Sequence, residues 1–307
     1  MWAGFFYISF SNLTETKSKH SRSFAQKRLK GLCPQTHTAG ALGTIGMWTT
    51  TGYIDKRKLL FWGSLCRSSP LYLHKQLFLK RLFSYLTQGC PVALGYVPDI
   101  INILKTYNLY SYLDRYLKDC TFPSKSIWRK IVVDTINNHE ITRWKEEMLK
   151  KNNLHRLRRT HQDLRPILHW EVAKRNPAHR AVIANMVNLL CGNIPALLIE
   201  TVQENDNHYI CNLCKMVFDD ISYHFVMDCS AVCRERNAMW DKITDNLPIQ
   251  AVSCLNNLDD YDLFDTMIGG NHAVIKKNEQ ILDTFLIVVA NEILTIFNRV
   301  KVLFDGL

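Results

Sequence analysis

The chain has 307 residues, 47% apolar and 21% charged, a composition that argues against disorder and suffices for one large or two modest cores. Lysine and arginine (38) exceed aspartate and glutamate (28), a surplus that points to a polyanionic partner and says nothing about fold. Of ten cysteines, Cys33, Cys66, Cys90, Cys120 and Cys191 stand singly among apolar residues, which argues against a secreted disulfide framework and for a reducing, intracellular compartment, nuclear or cytoplasmic.

In chain order, the opening MWAGFFYISF is apolar but short, without a basic flank or a clear cleavage site. It is expected to open a core element or to mark a truncated chain rather than a signal peptide. Helical periodicity then dominates, and strand signals are scarce. YIDKRKLLFWGSLCR spaces Ile54, Leu59, Trp62 and Cys66 along one face, and LYLHKQLFLKRLFSYL does the same with Leu73, Leu77, Phe78, Leu82 and Leu86. Pro98 and Asp99 mark a first turn, and Pro123 opens a helix expected to run to Lys151. A helix follows Pro177 and ends near Gly192, another covers about 229–245, and a long apolar-faced one covers about 275–304. Asn291 and Glu292 interrupt that last stretch well short of a membrane span, so a soluble protein is expected. Gly269-Gly270 reads as a turn.

The expected fold is all-α, a multi-helix, bundle-like architecture with a small metal module and a long C-terminal helix. The expected division is an N-terminal segment 1–52, a helical domain 53–200, a metal-binding module 201–247, and an acidic loop with the C-terminal helix over 248–307.

Cys211, Cys214, His224 and Cys229 follow C-x2-C-x9-H-x4-C. The two-residue gap lets both thiolates of a tight turn face one ion, and H-x4-C lets a short helical start offer the second pair. Three soft sulfurs and one imidazole make a tetrahedral structural zinc set with no vacant position for water. Cys233 and His208 are reserve ligands. Phe218-Asp219-Asp220 lacks the spacer of a polymerase aromatic-x-Asp-Asp box and reads as a solvated acidic loop.

Charge is unevenly placed. Residues 143–180 carry eleven lysines and arginines against four acids, whereas 200–265 carry thirteen acids against four bases. Lys150, Lys151, Arg156, Arg158, Arg159, Arg165, Lys174 and Arg175 are therefore candidate phosphate contacts for RNA or DNA, with a solvated helix face as the alternative. Trp144 and Trp170, interleaved with His155, His161 and His169, are expected to point into the core rather than to stack on bases.

The segment CNLCKMVFDDISYHFVMDCSAVCRERNAMWDKI resembles the zinc-binding module near the carboxyl end of reverse transcriptases from LINE-like, non-LTR retrotransposons. The match runs through Cys211, Cys214, the Asp219-Asp220 loop, His224, Cys229, Arg234 or Arg236, and Trp240. IDKRKLLFWG, GYVPDIINILKTYNLYSYL and FPSKSIWRKIVVDTI are similar to the helical stretch after the polymerase core of that family, so the resemblance spans most of 20–270. It implies RNA-directed DNA synthesis by target-primed copying. This sequence departs from it in showing no aromatic-x-Asp-Asp box and no nuclease carboxylate pair. Pro98-Asp99 with Asp114 reads as a helix start and its surroundings. The expectation is a non-catalytic, nucleic-acid-binding portion of such a protein. The rivals are a helical protein-interaction module and a remnant that no longer folds.

Overall fold

The computed structural model describes residues 31–33, 36–88, 95–200, 202–205, 208–270 and 272–306; the expectations for the opening stretch and for Cys90 lie outside these. The fold is all-α, with one small three-stranded antiparallel sheet. The helices are α1 Thr38–Thr44, α2 Thr50–Arg67, α3 Leu73–Gln88, α4 Tyr96–Thr106, α5 Tyr110–Asp119, α6 Lys125–Leu149, α7 His155–Thr160, α8 Leu168–Arg175, α9 Arg180–Leu190 and α10 Ala196–Glu200. Strands β1 Val202–Asn205, β2 His208–Cys211 and β3 Val217–Phe218 follow. The chain then forms α11 Ile221–Tyr223, α12 Cys233–Asn246, α13 Ile249–Asn256, α14 Asp260–Gly269, α15 Ala273–Lys276 and α16 Glu279–Asp305.

Two compact units emerge, and they do not follow the expected division. One holds Trp48–Arg143; the other joins the described residues up to Met47 with Trp144–Leu307. No boundary falls near 200 or 247, because Cys211, Phe225, Cys229 and Val232 lie in one core with α9, α12 and α16. α6 gives Trp128, Val132 and Ile136 to the first core and Trp144 and Met148 to the second.

In the first unit, α2 starts where the Thr49 hydroxyl accepts from the Gly52 amide, and the buried Glu140 accepts from both the Thr49 amide and its hydroxyl. Leu59, Trp62 and Cys66 are buried as the periodicity requires. Gly63 is needed because a Cβ there would strike the Trp128 indole, whose Nε1 donates to the Leu59 carbonyl at 2.9 Å.

α3 is turned away from its expected stripe. Phe78 and Leu82 are buried, but Leu73, Leu77 and Leu86 face solvent and Lys75 faces the core. The cause is hydrogen bonding. The Lys75 Nζ donates to the carbonyls of Leu65 and Cys66 at 2.8 Å each and to the Tyr116 hydroxyl, placing a cation on the last carbonyls of α2.

The second unit is built on α16, which packs most heavily against α12 and also against α9, α14 and α15. Its Asn278 cap accepts from the amides of Gln280 and Ile281. α16 is long and apolar enough to cross a membrane by length and composition, yet its Leu282, Phe285, Val289, Ile293 and Ile296 are core residues. Glu292, read as an interruption, is buried and takes Lys242 Nζ at 2.7 Å.

The stretch expected as an acidic loop is helical. Asp259 caps α14 by accepting from the Asp262 amide at 2.7 Å, and Asp260 and Asp262 occupy its first turn, where the helix dipole favours anions. Phe264, Met267 and Ile268 then fill the core, and Gly270 closes the helix in the left-handed conformation.

Candidate metal centre

The cluster is assembled by a hairpin and a turn. β2 ends at Cys211; the Cys211 amide donates to Met216 and the Lys215 amide donates to the Cys211 carbonyl, bending the chain back into β3. Lys215 takes a positive φ of 64° at this bend, and Cys211 and Cys214 thereby face the same side of the knuckle. β3 pairs with β2 in the register Tyr209 to Phe218 and Ile210 to Val217.

The second pair of donors comes from a helical segment that widens. The His224 amide donates to the Asp220 carbonyl, and the Cys229 amide donates to the His224 carbonyl at 2.7 Å, a five-residue turn that brings both ends of H-x4-C to one side. The Phe218 ring stacks on the imidazole of His224 with centroids 4.1 Å apart and planes within 4°, and Tyr209 stacks on Phe218 in turn. A ring held on its face has little freedom left but the direction of its nitrogens.

The four donor atoms all lie within 4.8 Å of one another. Sγ of Cys211 and Cys229 are 4.0 Å apart, and Sγ of Cys214 is 3.4 Å from Nε2 of His224. A tetrahedral ion with ordinary sulfur and imidazole bond lengths needs edges of about 3.8 Å between sulfurs and about 3.6 Å from sulfur to nitrogen. These two edges match such an ion to within a few tenths of an ångström, and the remaining pairs lie within 4.8 Å.

The thiols already interact strongly. Hydrogen bonding from Cys229 holds Cys211 below the ordinary thiol range; Cys229, as the donor to that thiolate and by burial, is pushed up, and burial pushes Cys214 up. One thiolate is therefore favoured and further ones are opposed. A cation at the centre reverses that opposition, since it binds sulfur in the thiolate form.

The reserve ligands stand apart. His208 Nδ1 is 2.6 Å from Asp219, and Cys233 is exposed at the start of α12. Asp219 is solvated as expected, but Asp220 is not an idle loop acid. Its Oδ1 accepts from the Tyr223 amide at 2.8 Å, capping α11.

The candidate phosphate contacts divide. Lys151, Arg158 and Lys174 are exposed and make no ion pair among the described residues. Lys150 pairs with Glu147 at 2.8 Å and Arg165 with Asp163 at 3.5 Å, both in solvent. Arg156 must be withdrawn from the set. It is buried, bonded to Asp220 and Asp265, with its guanidinium 4.2 Å from the Phe264 ring centroid. Arg159 pairs with Asp262 and Asp265, and Arg175 with Asp283 and Glu279. The acids that oppose them come from the later acidic stretches, so part of the basic run meets its complement within the chain. Trp144 and Trp170 are buried, and His169 is completely so. Comparison with known protein families, with curated proteins and with solved structures gives no match.

Proposed function

We propose that the chain is a non-catalytic nucleic-acid-binding protein organised by one structural Zn²⁺, corresponding to the post-polymerase part of the non-LTR reverse transcriptases it resembles. Three thiolates and one imidazole suit zinc by softness and number, and a set of four closes the coordination sphere. Held by Cys211, Cys214, His224 and Cys229, the ion supplies cross-linking of the hairpin to the helical turn and no open position for a reacting group.

The observation that carries nucleic-acid binding is what internal pairing leaves over. Arg156, Arg159 and Arg175 are taken up by Asp220, Asp262, Asp265 and Asp283, which also neutralises acids that would repel phosphate. Lys151, Arg158 and Lys174 remain exposed to make contacts that hold a polyanion without reading its bases. Replacing these three with alanine should weaken single-stranded RNA and DNA binding for all sequences alike. In an anisotropy titration across a salt series, the log–log slope should flatten by about 2, at roughly 0.7 per lost contact. A variant with the parent's slope and affinity would remove this reading.

A second reading, a helical protein-interaction module, has its own observation. Leu73, Leu77 and Phe83 of α3 stand 46–71% exposed, a row of large apolar side chains on one helix. Substituting these three with serine should leave nucleic-acid binding unchanged. Parental nucleic-acid affinity and salt slope in the lysine–arginine variant would put the interaction reading first.

A further inference from the structure

We propose that Arg156 is a positioning residue of the metal centre, holding Asp220 so that the turn after it delivers His224 to the ion. The proposal rests on the metal reading above and goes beyond it by placing a residue 55 positions before the first ligand in control of the site.

The two oxygens of Asp220 have separate tasks. Oδ1 accepts from the Tyr223 amide, while Oδ2 takes the Nη2 of Arg156; the Asp220 carbonyl accepts from the amide of His224 itself at 2.9 Å. One residue therefore starts the turn, caps it and anchors it. Arg156 is in turn fixed by two further contacts, one of them itself held in place. Its Nη1 donates to Asp265 Oδ1 at 3.1 Å, its guanidinium lies over Phe264, and Arg159 Nε holds the other oxygen of Asp265 at 2.9 Å. His155, half exposed, approaches Asp220 at 3.6 Å.

A planar guanidinium suits this post because it can bond two carboxylates on different elements in one plane and stack on an aromatic face at once; a lysine ammonium cannot. With the Arg156 side chain only 8% exposed, little water competes for these bonds. The His224 ring is held on its face by Phe218, so the direction of its backbone, set at Asp220, decides where Nε2 points.

The test is metal affinity together with the visible absorption of the Co²⁺-substituted protein, which reports how many thiolates and imidazoles surround the ion. Arg156→Met should bind Zn²⁺ 10–100-fold more weakly in a chelator competition, the range expected for partners that orient metal ligands. Its Co²⁺ spectrum should lose the signature of imidazole coordination. Asp220→Asn keeps an oxygen for the Tyr223 amide and weakens only the link to Arg156. It should show the same change with a smaller loss, about tenfold, and serves if Arg156→Met does not fold. Asp259→Ala removes the cap of α14 without touching Arg156 or Asp220 and should leave affinity within twofold and the Co²⁺ spectrum unchanged.

Parental affinity and spectrum in both Arg156→Met and Asp220→Asn would overturn the proposal. So would an equal loss in Asp259→Ala, since that would mean general loosening. A parent chain that takes up no Zn²⁺ would instead bring down the metal reading, and this proposal with it.

Discussion

His169 is a residue whose charge the fold tolerates poorly. It is completely enclosed, and burial pushes its pKa down to about 4 against a smaller opposing pull from the backbone of Ile268. His161, also buried, is lowered for the same reason. A histidine with a folded pKa below its unfolded value of about 6.5 is bound more tightly by protons in the unfolded chain. Its neutral form therefore costs nothing above that value, and stability falls as pH drops from there through 4. Between pH 7 and 5 the loss from this one group is about 2 kcal/mol. In His169→Leu that component is absent, so in urea melts at the two pH values the variant should gain about 2 kcal/mol on the parent as the solution is acidified. A constant difference between the two proteins across this range would show that His169 does not titrate on unfolding.

At the scale of elements, what was legible depended on whether the signal was local. The spacing of the four ligands and the Pro98-Asp99 first turn are properties of a few adjacent residues, and each appears where the sequence places it. The face of α3 was not legible, because Lys75 turns inward for carbonyls at the end of another helix. The acidic stretch misled for a related reason. Asp259, Asp260 and Asp262 resemble a solvated loop by composition, yet aspartates crowd at helix starts because amides there lack partners. Asp259→Ala should therefore cost about 1 kcal/mol of stability by denaturant unfolding, the usual worth of such a cap. Metal stoichiometry should stay the same, since the cap belongs to α14 and not to the hairpin. No measurable loss of stability would return this stretch to the status of a loop.

For the whole molecule, the two charge runs that look like a basic grip and an acidic neighbour turn out to be partly one network, with Arg156 and Arg159 meeting Asp220, Asp262 and Asp265. No local pattern could announce this, because the partners lie 64–109 residues apart. The same network and the shared core would give a bound metal a reach wider than its hairpin. Cys211 and Cys229 are fully buried among side chains that also touch α12 and α16, so an ion held by them would cross-link the core of the second unit. The proposed Zn²⁺ would be worth roughly 10–16 kcal/mol, as structural zinc is in small modules, as much as the whole stability of an ordinary domain, about 5–15 kcal/mol. Chelation at neutral pH should accordingly loosen far more than residues 208–245. By hydrogen exchange, protection should fall across α9, α12 and α16, while Trp48–Arg143, with a core of its own around Trp62, Leu104 and Trp128, keeps its protection. α6 offers the sharpest reading, since its amides should divide near Arg143 and Trp144, slow before and fast after. If the loss stops at the hairpin and α11, or spreads equally through α2 and α4, the metal is not the keystone of the second core.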